Sequence, residues 1–488
     1  MRRYGRVKPL TVHIRFTDAR TKKPAPVRLR IADANGATYA PFGRLSVFAS
    51  GRGESLGGHL RVGKENFSLI DGACEIRLPA GVPLQIQAFH GPEFIPFDRE
   101  VTLGPGQMAL RFEMAPWFDR TAENLLSGDS RAHFLSPHEA LLEAGTEDLD
   151  IVNILACDAA LHAEDGHTHR TLSNIAAFSG QSPALERVGR SVVVNTLNEH
   201  PMLGRLGLLN SHRPVYPLTF GGDAFDDWSL SDWCGQCHRK HGLAVWVNAF
   251  RAESGLLGGE ALVACILGQI DAVEFDPAPR SQPLLRWVYK LWNAGFRVPL
   301  IGGSGKGSNR TPLGAMRTYS RLNESEPRTY ASWIEAVRSG RSFISNGPIL
   351  RWDASGSKVS AESIFPFERL EIVANGCVVT TSGATNSNGV WRAEIVGGEL
   401  PKAGWCAIRC IGGAGSPFFP EMPAFAHSSP MRLGTPEDIA TPDDSANAAM
   451  KKCIEVTLDW IRSEGRFAEE KFRTQMIERC EKAAVMLA

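Results

Sequence analysis

Two changes of hydrophobic period divide the chain. From Leu10 to Met114 apolar residues fall at every second position, as in Leu10, Val12, Ile14 and Phe16, then Val27, Leu29 and Ile31, and finally Met108, Leu110, Phe112 and Met114. That spacing gives a strand one apolar face. Turn residues at 33–36 (DANG), 71–72 (DG) and 104–106 (GPG) separate the runs, so residues 8–116 read as a small antiparallel β-sandwich. Over 120–347 short apolar runs alternate with amphipathic stretches instead. Runs at 149–155, 191–194, 243–247, 271–275 and 298–301 have the composition of buried parallel strands, and 137–144, 229–240, 259–267 and 282–294 that of the helices between them. Such alternation predicts a parallel α/β fold of barrel type. The two-residue period returns at 370–373 and 405–410, with Asn375-Gly376 as a hairpin signal, which predicts a second sandwich over 348–433. A linker rich in Pro, Asp, Thr and Ser opens the last segment, 434–488. Beyond it Ile454, Leu458 and Ile461, then Phe472, Met476 and Val485, recur at helical spacing, as in helices that dock on the body or on another subunit.

Composition narrows the function classes. The 53 Lys and Arg residues balance 53 Asp and Glu, so no long-range positive field draws the chain to nucleic acid or an anionic membrane, and charged function must be local. No apolar run is long enough to span a bilayer, and the basic start passes directly into a strand pattern without a secretion-type apolar stretch. A cytoplasmic protein is expected. Ten scattered cysteines make no disulfide framework. The close pair Cys234 and Cys237, followed by His238, lies in a helical segment without a second pair to complete a zinc site, so it reads as packing.

One stretch carries more specific information. The strings GDSRAH at 128–133, FLSPHEALLEA at 134–144 and DLDIVN at 148–153 resemble the CehA/McbA branch of the PHP (polymerase and histidinol phosphatase) metallohydrolases. The similarity continues through LGRLGLL at 203–209, NAGFRVP at 293–299, GGS at 302–304, GAMRTY at 314–319 and FISNGP at 343–348. It extends to the flanks at HGPEF (90–94) and AHSSP (426–430), and so covers nearly the whole chain. The resemblance implies a distorted (β/α)7 barrel flanked by two β-sandwiches and followed by C-terminal helices. In that family two or three divalent ions at the strand ends activate water against ester, carbamate or phosphoester bonds. Such chemistry needs neutral imidazoles and carboxylates converging on the ions.

Set against the family's ligand motifs, this chain departs at five positions. The G-D-x-H-x-H motif keeps Asp129 and His133 but has Arg131 at its first histidine. A guanidinium has no lone pair to give a metal and stays protonated. Leu197 stands at a carboxylate position and Arg205 at a histidine; the metal-capable Glu199 and His200 lie two residues out of phase. Ala249 replaces the histidine of a P-H-F motif, and Gly305 the aspartate of a G-[ST]-D motif. Loss of ions with retention of their carboxylates would leave costly buried anions, so the substitutions read as one event. On that reading Arg131, Arg205 and Lys306 supply positive charge where metal stood, with Asp129 as salt-bridge partner.

The expectation is therefore a pseudoenzyme without cofactor, in which Asp129, Arg131, His133, Leu197, Arg205, Ala249, Gly305 and Lys306 line a pocket for a small anion or a protein partner, with self-association or pairing with an active paralogue as further options. The competing expectation is an active hydrolase that holds zinc or manganese through Asp129, His133, His138, His162, His167 and His169, the last three lying with Asp158 and Asp165 in the chain's densest run of metal-capable side chains. The glycine-rich 302–308 lacks the spacing of a phosphate loop, and Trp287, Tyr289 and Trp292 recur at helical spacing as packing residues.

Overall fold

A computed structural model describes residues 9–50, 54–162, 168–187, 189–250, 256–276, 281–353, 358–397, 400–413, 419–434 and 443–487, with the backbone alone at 160–162, 168–170 and 281–282. The described residues form a β-rich α/β structure with seven α-helices: α1 Pro137–Thr146, α2 Leu230–Arg239, α3 Gly259–Ile266, α4 Ser281–Asn293, α5 Tyr330–Arg338, α6 Asp444–Ser463 and α7 Glu470–Val485. None of them is long and apolar enough to cross a membrane.

The N-terminal region has two sheets. Pro9–Asp18 lies between Ala73–Pro79 and Ala109–Met114, and Val27–Asp33 is central to a six-stranded partner sheet. The alternating residues Val12, Ile14, Phe16, Leu29, Ile31, Ile76 and Ile86 form the core between them. The sandwich is not wholly antiparallel as expected, because Pro9–Asp18 runs parallel to Ala109–Met114, with Ile14 opposite Leu110. The chain crosses to the other sheet between these strands, so they are not joined as a hairpin, and only a crossover lets parallel strands pair.

The central sheet follows the order Leu300–Gly302, Ala272–Phe275, Leu243–Val247, Gly204–Leu209, Arg190–His200, Ile151–His162, Leu125–Ala132, Arg317–Arg321 and Ser342–Ser345. Leu125–Ala132, Ile151–His162 and Arg190–His200 are parallel, and so are the three strands at the other end. Gly204–Leu209 runs antiparallel to both its neighbours, which places Arg205 opposite Glu199 and Val247 at the C-terminal ends of those strands. Every residue of Leu125–Ala132 and Leu243–Val247 is buried, as in strands covered on both faces. Beyond Gly302 the backbone returns alongside the first strand: the Gly305 N–H donates to the Arg131 carbonyl (3.0 Å) and the His133 N–H to the Lys306 carbonyl (2.7 Å). Helix α1 starts immediately after that strand with a capping box of Ser136 and Glu139 and Pro137 in its first turn, so the chain leaves the strand end in a fixed direction.

The region 348–433 has two packed sheets, one of them continuous with the central sheet. Ser342–Ser345 pairs with Ala424–Ser428, and the central sheet runs on through Gly404–Gly412, Arg369–Ala374 and Cys377–Gly383. A second, four-stranded sheet (Ile349–Trp352, Lys358–Ser363, Val390–Val396, Thr385–Ser387) packs across it. Pairing covers the backbone donors and acceptors that an edge at Ser342–Ser345 would leave open. The tail helices dock on the body: Met450, Ile454, Ile461, Met476 and Cys480 join the core that holds Trp233, Leu262 and Trp292, and Arg479 pairs with Asp232 at 2.7 Å.

Candidate functional site

The strand end at 129–133 is the structural centre of the candidate site. Asp129 is fully buried. Its Oδ1 accepts from the backbone N–H groups of Arg131 (3.0 Å) and Ser304 (2.9 Å), and its Oδ2 from that of Gly314 (2.8 Å). Burial pushes the carboxyl above its ordinary range, against the pull of these donors. Asp129 is thus a brace between the first strand and the 302–314 segment. It is not the expected partner of an arginine.

Arg131 finds its partners elsewhere. Its Nε donates to both oxygens of Glu274 (2.8 and 3.1 Å), and its Nη2 lies 2.7 Å from Glu274 Oε1 and 3.3 Å from Asp276 Oδ2. The Arg131 side chain is 9% exposed and that of Glu274 1% exposed, so this pair is held almost out of water. Burial weakens both charges, lifting the Glu274 carboxyl, and opposing the guanidinium charge that the facing carboxylates then raise. Fork-to-carboxylate geometry is the arrangement that best repays such desolvation. Ser130 Oγ adds a further bond to Glu274 Oε2 (3.2 Å). In the sequence Glu274 sits inside the run 271–275 that reads as a buried strand, and one acid among such apolar residues is itself a signal, because it needs a buried cation to face it.

Glycine at 305 belongs to the same arrangement. Its φ is +62°, and a Cβ there would meet Arg131 Nη2 at 2.8 Å. An aspartate at 305 and the guanidinium in its present place are therefore sterically incompatible. Gly303 is equally constrained, since a Cβ would come within 2.4 Å of Ser130 Oγ and 2.9 Å of Glu274 Oε2.

His133 is buried beside this pair. Its Nδ1 lies 3.2 Å from the Leu155 carbonyl, to which a neutral ring donates. Burial, reinforced by the nearby Arg131 charge, pushes its pKa down to about 3. Arg205 is different in kind. Its side chain is 39% exposed, and its Nε pairs with Glu199 Oε2 at 3.0 Å. His200 is committed too, with Nε2 at 2.9 Å from Asp226 Oδ1 and Nδ1 accepting from the Met202 and Leu203 N–H groups. Leu197 and Ala249 are buried in apolar clusters. Arg205 also lines a cleft of about 60 Å³ with His200, Trp246, Asn248 and Phe250. Asn248 and Phe250, on either side of Ala249, both have positive φ (+54°), and Asn248 Oδ1 is buried without a hydrogen-bond partner.

Three expected members are placed elsewhere. Lys306 is fully buried and points to α1, where its Nζ lies 3.1 Å from Glu143 Oε1 and bonds to the carbonyls of Thr311 (2.8 Å) and Ser308 (3.2 Å). Its neighbour Gly305, with a left-handed φ, turns the chain there. His138 is exposed on the first turn of α1 and lines a separate groove with Leu141 and Arg190. Asp158 accepts from Thr219 Oγ1 (2.9 Å), while His167, Asp165 and the side chains of His162 and His169 lie outside the described residues. The remaining donors do not suit a divalent ion: both Asp129 oxygens are taken by backbone N–H groups, His133 offers one nitrogen, and a guanidinium stands next to them. Among the described residues no three His, Cys, Asp or Glu side chains are grouped to hold a metal.

No family model matches the chain, and no curated protein matches it.

Proposed function

We propose that this chain is a CehA/McbA-like protein of PHP type in which an internal ion pair stands in place of the hydrolytic metal cluster, and that it works by binding a small anion and not by hydrolysis. In this reading the seven strands from Leu125–Ala132 round to Leu300–Gly302 form the distorted (β/α)7 barrel. The return of Lys306 beside Ala132 supports ring closure, and the antiparallel Gly204–Leu209 accounts for the distortion. The observation that carries the reading is the Arg131–Glu274 fork. It puts a permanent cation at the strand ends, uses up the acid facing it, and in its present place leaves no room for a Cβ at 305. The charge left for a ligand is the half-exposed Arg205 beside the strand-end cleft.

The test starts from protein stripped with a chelator and re-exposed to zinc or manganese. No stoichiometric uptake and no thermal shift are expected, together with no turnover of generic ester or phosphodiester substrates beyond that of Asp129→Ala and His133→Ala controls. Near-stoichiometric uptake, with hydrolysis abolished in those controls, would establish a remodelled hydrolase instead. Binding of acetate or phosphate that weakens in Arg205→Ala is the positive counterpart.

A further inference from the structure

A second cavity lies on the other side of α1, where this helix meets the N-terminal sandwich. It has a volume of about 400 Å³, within the range of small-molecule sites, roughly 300–1,000 Å³. Its apolar lining comes from both partners: Pro24 and Pro26 from the sandwich, Leu141 and Leu142 from successive positions on α1. Gly145 lies at the same junction, where a Cβ would sit 3.2 Å from Pro26, so the helix and the sandwich already touch at the base of the groove.

The charged lining is mainly basic. Lys23, Arg187 and Arg190 face one carboxylate, Asp71, with His138 beside them. Asp71 is taken by Arg187 at 2.9 Å, and Arg190 reaches out of the groove to Asp148 at 3.0 Å. Lys23 is left without an ion-pair partner among the described residues. Arg190 lines the groove with a side chain 19% exposed, its Nε closed off from the cavity and its Nη2 held by Asp148. Once the internal pairs are counted, the groove has one uncompensated positive charge above an apolar floor.

We propose that this groove is a binding site for a small amphipathic carboxylate, a molecule with a single anionic head and an apolar body. The head is met by Lys23 at the exposed rim of the groove, and the body covers Pro24, Pro26, Leu141 and Leu142. One surplus charge matches a monoanion better than a phosphate dianion. The site is distinct from the strand-end cleft and does not depend on the reading of that cleft.

Octanoate is a suitable probe for calorimetric titration of the full chain. Saturable one-site binding is expected, with octanol, which lacks the charge, and acetate, which lacks the body, each weaker by at least about tenfold. Lys23→Glu should weaken octanoate by a similar factor while Lys23→Arg retains it, and Leu142→Gln should weaken it through the floor, with circular dichroism confirming the fold of each variant. Equal affinity for octanol, or indifference to Lys23→Glu, would overturn the proposal. Tighter binding of octyl phosphate would overturn the choice of head group. Loss of the tight octanoate site in Arg205→Ala with Lys23→Glu indifferent would place the ligand in the strand-end cleft and sink the assignment.

Discussion

The two sides of the strand-end pocket hold arginines in opposite states. On the closed side Arg131 is nearly out of water and bound through a fork to Glu274, with Asp276 behind it. On the open side Arg205 is about two-fifths exposed and shares one contact with Glu199. The same side chain does different work in the two places. Where water is excluded, the pair cannot lose one member without stranding the other charge, so Arg131 fixes structure. Where water remains, the charge is screened and exchangeable, so Arg205 is the one available to a ligand.

The strongest way to break this contrast is Arg131→Met. It should destabilise the fold by about 3–5 kcal/mol, because Glu274 is left buried and uncompensated. The double variant with Glu274→Leu should recover most of that loss in urea denaturation, and a double variant no better than the single would show that Arg131 acts alone. Next comes Gly305→Ala, expected to cost about 1–3 kcal/mol from a left-handed backbone and contact with the guanidinium. If the Arg131 pair is removed first, the steric part of that cost should disappear while the backbone part stays.

Proton linkage sharpens the picture of the closed side. Folding holds His133 neutral down to about 3, whereas an unfolded imidazole titrates near ~6.5. The native state therefore keeps its full stability above ~6.5 and loses it as pH falls from there toward 3, by roughly 1.4 kcal/mol per pH unit for each such histidine. His427, also pushed down to about 3 by burial, adds a parallel loss. His133→Asn preserves a donor for the Leu155 carbonyl and should reduce the slope by one proton between pH 6 and 4. An unchanged slope would mean that His133 protonates in the native state without cost. The smallest effect is expected from Arg205→Ala, at most about 1 kcal/mol in stability and close to nothing in high salt. A loss comparable to that of Arg131 would erase the distinction between the two sides.

Much of this was legible from the residues alone. Four helix expectations in the central region fall within two residues of α1 to α4; three have a Ser or Gly ahead of the first turn, and α3, buried at every residue, is apolar nearly all round where the others are amphipathic. Strand 243–247 matched to the residue. Leu125–Ala132 has no apolar strand pattern of its own, since its second half (GDSRA) is polar, and only the family resemblance puts 128–133 at a strand end. Those polar groups are buried only because Gly314, Ser304 and Glu274 come from distant parts of the chain to satisfy them, and no local pattern encodes that. The same cause hid the direction of Lys306 and the partners of Asp129. Local sequence indicated which residues were unusual, and long-range hydrogen bonding decided what they touch.

The continuity of the central sheet into the C-terminal strands also bears on biosynthesis. Ser342–Ser345 is completed only by Ala424–Ser428, roughly eighty residues later. At translation rates of about 5–20 residues per second, that edge emerges from the ribosome roughly 4–16 s before its partner. For that interval the nascent chain presents an open strand to every other nascent chain nearby, and a pause in translation over 346–423 would lengthen its exposure.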